Sequence, residues 1–240
     1  MIQNIKKIGV LGGSFNPPHN DHIRIAEYIK NRLSLDKFII VPNAQPPHKN
    51  TCHVGFEHRR KMLEILACQY DDLEISDIES DPNVPHYTID LIDKIRNLYP
   101  KAYVFFCMGM DSLIYLDKWK NGLSITEKRN IVVIGRKGYS IEEANPPVKD
   151  YLKSHAVYED SDDFSQKLNE EKGNCFLLKE CFNDVSSSKI RLEFDEFYKN
   201  DKHKKDLFDY ADKFPYSLKY LDKEIIEYIT KNSLYKERES

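Results

Sequence analysis

The chain has 240 residues, 40% of them hydrophobic and 31% charged, and its 36 Lys and Arg nearly balance its 39 Asp and Glu to leave a formal net charge of -3. That length supports one substantial core, with or without a small appendage, and the charge gives no general electrostatic reason to expect a nucleic-acid or acidic-membrane partner. No apolar run reaches the roughly 18 residues a bilayer span needs, and the N-terminus lacks a signal peptide's apolar segment, so the expected setting is cytoplasmic, with the nucleus and a homo-oligomer left open.

The five cysteines, Cys52, Cys68, Cys107, Cys175 and Cys181, are odd in number and scattered, which suits free thiols in a reducing compartment. Cys52-His53 with His58 lacks a second Cys-x-x-Cys arm, so no protein-held metal is expected.

Residues 5–11 form a short apolar run that reads as a strand and breaks at Gly12-Gly13. The chain then turns through Pro17-Pro18 and delivers His19 and His22 to a helix over 21–33, marked by Ile23, Ala26, Ile29 and Leu33, with Asn20 or Asp21 able to cap it. A double glycine lets a ligand approach the backbone, and free N–H groups at a helix start favour anions, so this stretch suits a phosphate. The plainer alternative is a tight turn with two surface histidines.

A strand at 38–41 ends at Pro42-Asn43, a helix over 55–69 is carried by Met62, Leu63, Leu66 and Ala67, and a short strand follows at 73–75. A helix over 87–98 with Ile89, Ile92 and Ile95 on one stripe leads to an apolar strand at 102–108, a helix near 111–116 and a buried strand at 131–134. Such alternation predicts an α/β fold, a mainly parallel sheet with helices on both faces. In such sheets ligands bind beyond the carboxyl ends of the strands. There the sequence places Gly12, Gly13, His19 and His22, then Asn43, Pro47, His48 and Lys49, then Glu79 with Tyr87-Thr88, then Gly109 and Asp111, then Gly135, Arg136 and Tyr139. Neither G-x-x-x-x-G-K-[ST] nor G-x-G-x-x-G occurs, which argues against a P-loop NTPase and a dinucleotide dehydrogenase.

Over 140–179 the pattern loosens: a helix over 141–152 interrupted by Pro146-Pro147, a solvated acidic excursion over 159–172, and a weak strand at 175–178. Ser186-Ser187-Ser188 precede Ile190, Leu192 and Phe194 as a helix cap, and with Arg191 one turn on they also make an anion site; the cap alone is the plainer alternative. An amphipathic helix over 222–229 turns Ile225, Ile226 and Ile229 inward, giving a small C-terminal helical subdomain over 188–240 after a main domain over 1–187.

The string Gly13, Phe15, Pro17, His19, His22 resembles the GxFxPxHxGH signature of the nucleotidylyltransferase superfamily, with Asp21 where glycine is usual. Pro42-Asn43 with Pro46-Pro47-His48-Lys49, then Arg59-Arg60-Lys61-Met62-Leu63, Tyr87-Thr88 after His86 in place of serine, Gly109-x-Asp111-Ser112, Trp119, Gly135-Arg136-x-Gly138-Tyr139 and Ser186-Ser187-Ser188-x-x-Arg191 follow in order. Together they resemble the bacterial type of nicotinate/nicotinamide mononucleotide adenylyltransferase. The resemblance implies a Rossmann-like nucleotidyltransferase domain and attack of a mononucleotide 5′-phosphate on the α-phosphorus of ATP, with Mg²⁺ on the triphosphate and no covalent nucleophile.

By resemblance, His19, His22 and Arg191 are the catalytic residues. Gly12, Gly13, Ser14, Phe15, Gly109, Asp111, Ile134, Arg136, Ser186 and Ser187 join them around ATP. Asn43, His48, Lys49, Tyr87, Thr88 and Trp119 form the mononucleotide pocket, with Trp119 stacking on the pyridine ring unless it is simply a core aromatic. Two rival readings are another adenylyl- or cytidylyltransferase with the same histidine pair, such as a phosphopantetheine type, and a nucleotide sensor that has lost turnover through Asp21.

Overall fold

The computed structural model describes residues 7–44, 54–182, 185–200 and 215–236. Its seven strands, β1 (Lys7–Gly13), β2 (Lys37–Pro42), β3 (Leu73–Ile75), β4 (Tyr103–Gly109), β5 (Asn130–Arg136), β6 (Ala156–Tyr158) and β7 (Cys175–Phe182), pair in parallel in the order β3-β2-β1-β4-β5-β7-β6. The chain leaves β1 for β2 on one side and returns to β4 on the other, so the crevice between β1 and β4 is the point where strand order reverses, the usual ligand site in open sheets.

Among the described residues ten α-helices surround the sheet: α1 (Asn20–Leu33), α2 (Phe56–Ala67), α3 (Thr88–Leu98), α4 (Met110–Leu113), α5 (Ile125–Lys128), α6 (Pro146–His155), α7 (Phe164–Lys167), α8 (Ser187–Asn200), α9 (Ser217–Tyr220) and α10 (Lys223–Lys231). Side chains alternate across each strand, so both faces are apolar. Phe38 and Ile40 of β2 and Phe105 and Cys107 of β4 join Ile23, Ile29, Met62, Leu66, Ile190, Phe194, Ile225 and Ile229 on the face covered by α1, α2, α8 and α10. Ile39, Val41, Val104 and Phe106 join Ile89, Ile92, Leu113, Ile125 and Val148 on the other.

The C-terminal segment draws on that first core. Asn20 Nδ2 donates to Asp222 Oδ1 (2.8 Å), and His58 Nδ1 meets the Tyr228 hydroxyl at 2.9 Å.

Three local expectations are corrected. The residue that caps α1 is His19, with extended backbone (φ -139°, ψ 166°), so Asn20 and Asp21 are already helical. Pro146 and Pro147 do not interrupt a helix but open α6, where a missing N–H costs nothing, after a separate 3-10 turn at Ile141–Glu143. The excursion over 159–172 is not wholly solvated: α7 buries Phe164, Leu168 is buried just after it, and β6 adds a strand at the sheet edge just before.

Candidate active site

A cleft of about 620 Å³ opens beyond the carboxyl ends of β1, β4, β5 and β7. β1 runs into a turn in which Phe15 takes a left-handed backbone (φ 45°), and α1 then starts at His19. The backbone N–H of His19 donates to His22 Nδ1 (3.1 Å), so that nitrogen is unprotonated and the ring's hydrogen sits on Nε2. The two imidazoles stack with centroids 3.7 Å apart, and Phe15 meets His22 edge-on at 4.9 Å.

Burial pushes both imidazoles below the ordinary histidine value, aided by the nearby Arg136 charge. His22 falls to about 3 and His19 well below its usual range, its neighbour His22 adding to the effect. At neutral pH both rings are therefore uncharged hydrogen-bond donors.

The other wall is α8. Ser186 Oγ accepts from Lys189 N (3.3 Å) as the helix cap, Ser187 Oγ donates to Pro17 O (3.0 Å), and Arg191 donates through Nη1 to Asn16 O (2.5 Å) and through Nη2 to Ser188 Oγ (2.8 Å). The bonds to Pro17 and Asn16 span 170 and 175 residues of sequence and set the serine-capped helix against the histidine turn. At the end of β4 a Cβ on Gly109 would collide with Asp111 Oδ1, whose carboxylate accepts from Arg136 Nη1 (2.6 Å).

Gly12, Gly13, Ser14, Phe15, His19, His22, Gly109, Asp111, Ile134, Arg136, Ser186, Ser187 and Arg191 all line this cleft. Trp119 lines it too, its ring edge-on to Phe106 at 6.4 Å. Asn43, Tyr87 and Thr88 lie beyond the lining: Tyr87 caps α3 with its ring under Lys120 Nζ (4.4 Å), and Asn43 Oδ1 is buried without a hydrogen-bond partner. His48 and Lys49 fall outside the described residues.

Two contributors escape a reading by sequence. Phe182 lines the cleft because β7 runs four residues past the expected strand. Arg59, 0% exposed, donates to the carbonyls of Ser14 (2.6 Å), Asn43 (2.8 Å), Ala44 (2.9 Å) and Val54 (3.2 Å), bracing the turns after β1 and β2. The signal for Arg59 was present, since it stands at helical spacing with Met62, Leu63 and Leu66 on the buried stripe.

Among the described residues, no group of three or more His, Cys, Asp or Glu could hold a metal ion. Asp21 is 3% exposed and lines the cleft; Oδ1 accepts from Arg24 Nη1 (3.0 Å), while Oδ2 is buried with no hydrogen-bond partner.

An open parallel sheet with paired imidazoles and a serine-capped helix facing one another at its switch point defines a nucleotide-binding α/β protein. Its relatives narrow that class. The cytidylyltransferase-like family matches residues 10–193, and the chain belongs to that family. It is 37% identical over 187 residues to a probable nicotinate-nucleotide adenylyltransferase of Shewanella sp. (strain ANA-3), covering 78% of this chain and 87% of the relative. In fold it is similar to Plasmodium falciparum nicotinic acid mononucleotide adenylyltransferase complexed with NaAD, with a TM-score of 0.67 at 20% identity over 96% of this chain and 97% of that one. It is also similar to a putative nicotinate-nucleotide adenylyltransferase from Vibrio parahaemolyticus, with a TM-score of 0.57 at 18% identity over 98% of each chain.

Proposed function

We infer that the chain transfers the adenylyl group of ATP to nicotinate mononucleotide, giving the deamido dinucleotide and pyrophosphate in NAD biosynthesis. The observation that carries this reading is the convergence of the histidine turn and the serine-capped helix on one cleft, in a chain 37% identical to an enzyme so named. Nicotinamide mononucleotide is a second acceptor to be tested. No described helix is long and apolar enough to cross a membrane, and the cytoplasm is the proposed location.

The reaction needs alignment and charge stabilisation more than covalent chemistry. The mononucleotide phosphate attacks the α-phosphorus of ATP, a new P–O bond forms, and the bond to the β-phosphate oxygen breaks with the electron pair leaving on pyrophosphate. Neutral His19 and His22 donate N–H to the α- and β-phosphate oxygens as charge moves onto them, and Ser186, Ser187 and Arg191 hold the departing pyrophosphate. The turn after β1, Gly109 and the Ile134 to Arg136 segment cradle the nucleotide, with Asp111 accepting from a ribose hydroxyl. Trp119 offers a flat face to the acceptor's pyridine ring.

Asp21, which lines the cleft with Oδ1 held by Arg24, is the carboxylate that would face a magnesium ion carried on the triphosphate. Bound there, magnesium would neutralise phosphate charge.

Pyrophosphate release from ATP plus nicotinate mononucleotide tests the reading. Wild-type protein releases it and His19→Ala does not; binding of ATP without release would instead make the chain a sensor. Running nicotinamide mononucleotide and phosphopantetheine beside nicotinate mononucleotide assigns the acceptor.

A further inference from the structure

Between β3 and α3 two chemically active side chains are turned inward and take no part in the chemistry above. Glu79 is 5% exposed and His86 6%. His86 Nε2 lies 2.7 Å from the carbonyl oxygen of Asp81. A carbonyl only accepts, so Nε2 carries a hydrogen. The other ring nitrogen, Nδ1, is buried without a hydrogen-bond partner and faces Glu79 Oε1 at 3.8 Å.

The backbone ties this pair to both segments assigned to the acceptor. Glu79 O accepts from Ala44 N (2.8 Å), next to Asn43, while His86 immediately precedes Tyr87, the cap of α3, and Thr88, its first residue.

We propose that Glu79 and His86 are a pair of positioning residues that holds the start of α3 against the turn after β2, so that affinity for the mononucleotide depends on whether the Glu79 carboxyl facing Nδ1 carries its proton. The proposal rests on the reading of the chain as a nicotinate mononucleotide adenylyltransferase.

With that proton in place, a neutral carboxyl faces the lone pair of Nδ1 and can turn its O–H toward it. Without it, a carboxylate and a ring lone pair face each other in a dry site and repel. The surrounding charges do not replace the proton. Lys94 of α3 favours the carboxylate, but its Nζ donates to Ile78 O (3.3 Å); Asp90 of α3 opposes it and is itself paired with Lys120 (3.1 Å). The Asp81 carboxylate is taken by Asn83 (2.9 Å), and Arg59 of α2 is engaged by the carbonyls of Asn43 and Ala44. Burial raises the Glu79 carboxyl to about 7, so the proton leaves just above neutrality.

The test compares wild type with Glu79→Gln, whose amide N–H supplies a hydrogen to Nδ1 at every pH. From roughly pH 6 to 9, wild-type KM for nicotinate mononucleotide rises above neutrality, approaching about tenfold per pH unit, while kcat and KM for ATP hold steady. In Glu79→Gln the acceptor KM stays low and loses that rise. Titration of the substrates' own phosphates is common to both proteins and cancels in the comparison. Identical acceptor profiles for the two proteins, or a loss that falls on kcat, overturn the proposal.

A second measurement needs no substrate: ¹³C titration of the Glu79 carboxyl in the wild-type protein, with the Tyr87 and Thr88 amides followed alongside. A midpoint near 7 shared by all three supports the pair, and an ordinary carboxylate midpoint with unmoved amides overturns it. If wild-type protein makes no dinucleotide from nicotinate mononucleotide, the functional reading fails, and the NMR titration still decides the pair.

Discussion

Arg59 shows how one side chain organises two turns far apart in sequence. Its guanidinium is buried and engaged by four backbone carbonyls, those of Ser14, Asn43, Ala44 and Val54, so it fixes the turn after β1 and the turn after β2 at once. Arg59→Met keeps the volume but strips those acceptors of their donor, and each buried acceptor left alone costs about 1–3 kcal/mol. The expected loss is on the order of 3 kcal/mol or more, read as a drop in the denaturant midpoint with little change in slope. A shift within about 0.5 kcal/mol of wild type would mean that the carbonyls find other donors.

Asp21 is the departure from the superfamily pattern, and its burial decides between the ways a carboxylate can sit there: it faces the cleft. Its charge complements the start of α1 by about 0.3–1 kcal/mol, and glycine in its place adds roughly 0.3 kcal/mol of helix cost. Asp21→Gly is therefore expected to melt earlier yet retain turnover at saturating Mg²⁺, with half-saturation by Mg²⁺ moved to higher concentration. A fall to the activity of His22→Ala would give the carboxylate a direct catalytic part.

At the level of strands and helices, β1, α1 and α8, which wall the cleft, were legible because their signals are local. An apolar run, a glycine break and a 3.6-residue stripe suffice for β1 and α1, and a serine run before Ile190 and Phe194 suffices for α8. What could not be read was context. β6 is three residues long and exists because β7 offers an edge to pair with; β7 itself extends to Phe182 through Lys179, Glu180 and Cys181, whose exposure hides the strand pattern. His19 caps α1 because its backbone N–H finds His22 Nδ1, a backbone-to-side-chain bond that composition does not announce. The acceptor side was readable only by likeness, and Glu79 and His86 acquire meaning only when the loop after β3 folds over the end of β2.

The cap of α8 permits a separable test. Ser186→Ala removes the acceptor for Lys189 N and should cost about 0.5–2 kcal/mol of stability, while Ser186 N still donates to the Tyr216 hydroxyl (2.8 Å). Because the same hydroxyl is assigned to pyrophosphate, KM for ATP should rise in addition. Loss of stability with KM for ATP unchanged would leave Ser186 a cap and nothing more.

Across the whole molecule, the buried titratable groups pull stability in opposite directions with pH. His19 and His22 have folded values depressed below their unfolded ones, so between the ordinary histidine value and about 3 the unfolded chain takes up protons that the native cleft refuses. Their contribution is complete above about 6.5 and is lost as pH falls through that window. Glu79 has a raised folded value, so its contribution is complete below 4.5 and is lost as pH climbs through about 7. The depressed histidines pull stability down from neutrality toward about pH 4, and the raised carboxyl opposes them. Thermal melts across that range should therefore fall steeply in wild type. In the His19→Asn, His22→Gln double variant, which has no imidazole left to protonate at the cleft, the same melts should fall less, with the Glu79 carboxyl's opposing contribution exposed. Parallel curves for the two proteins would show that the imidazoles are not the groups that make this fold acid-sensitive.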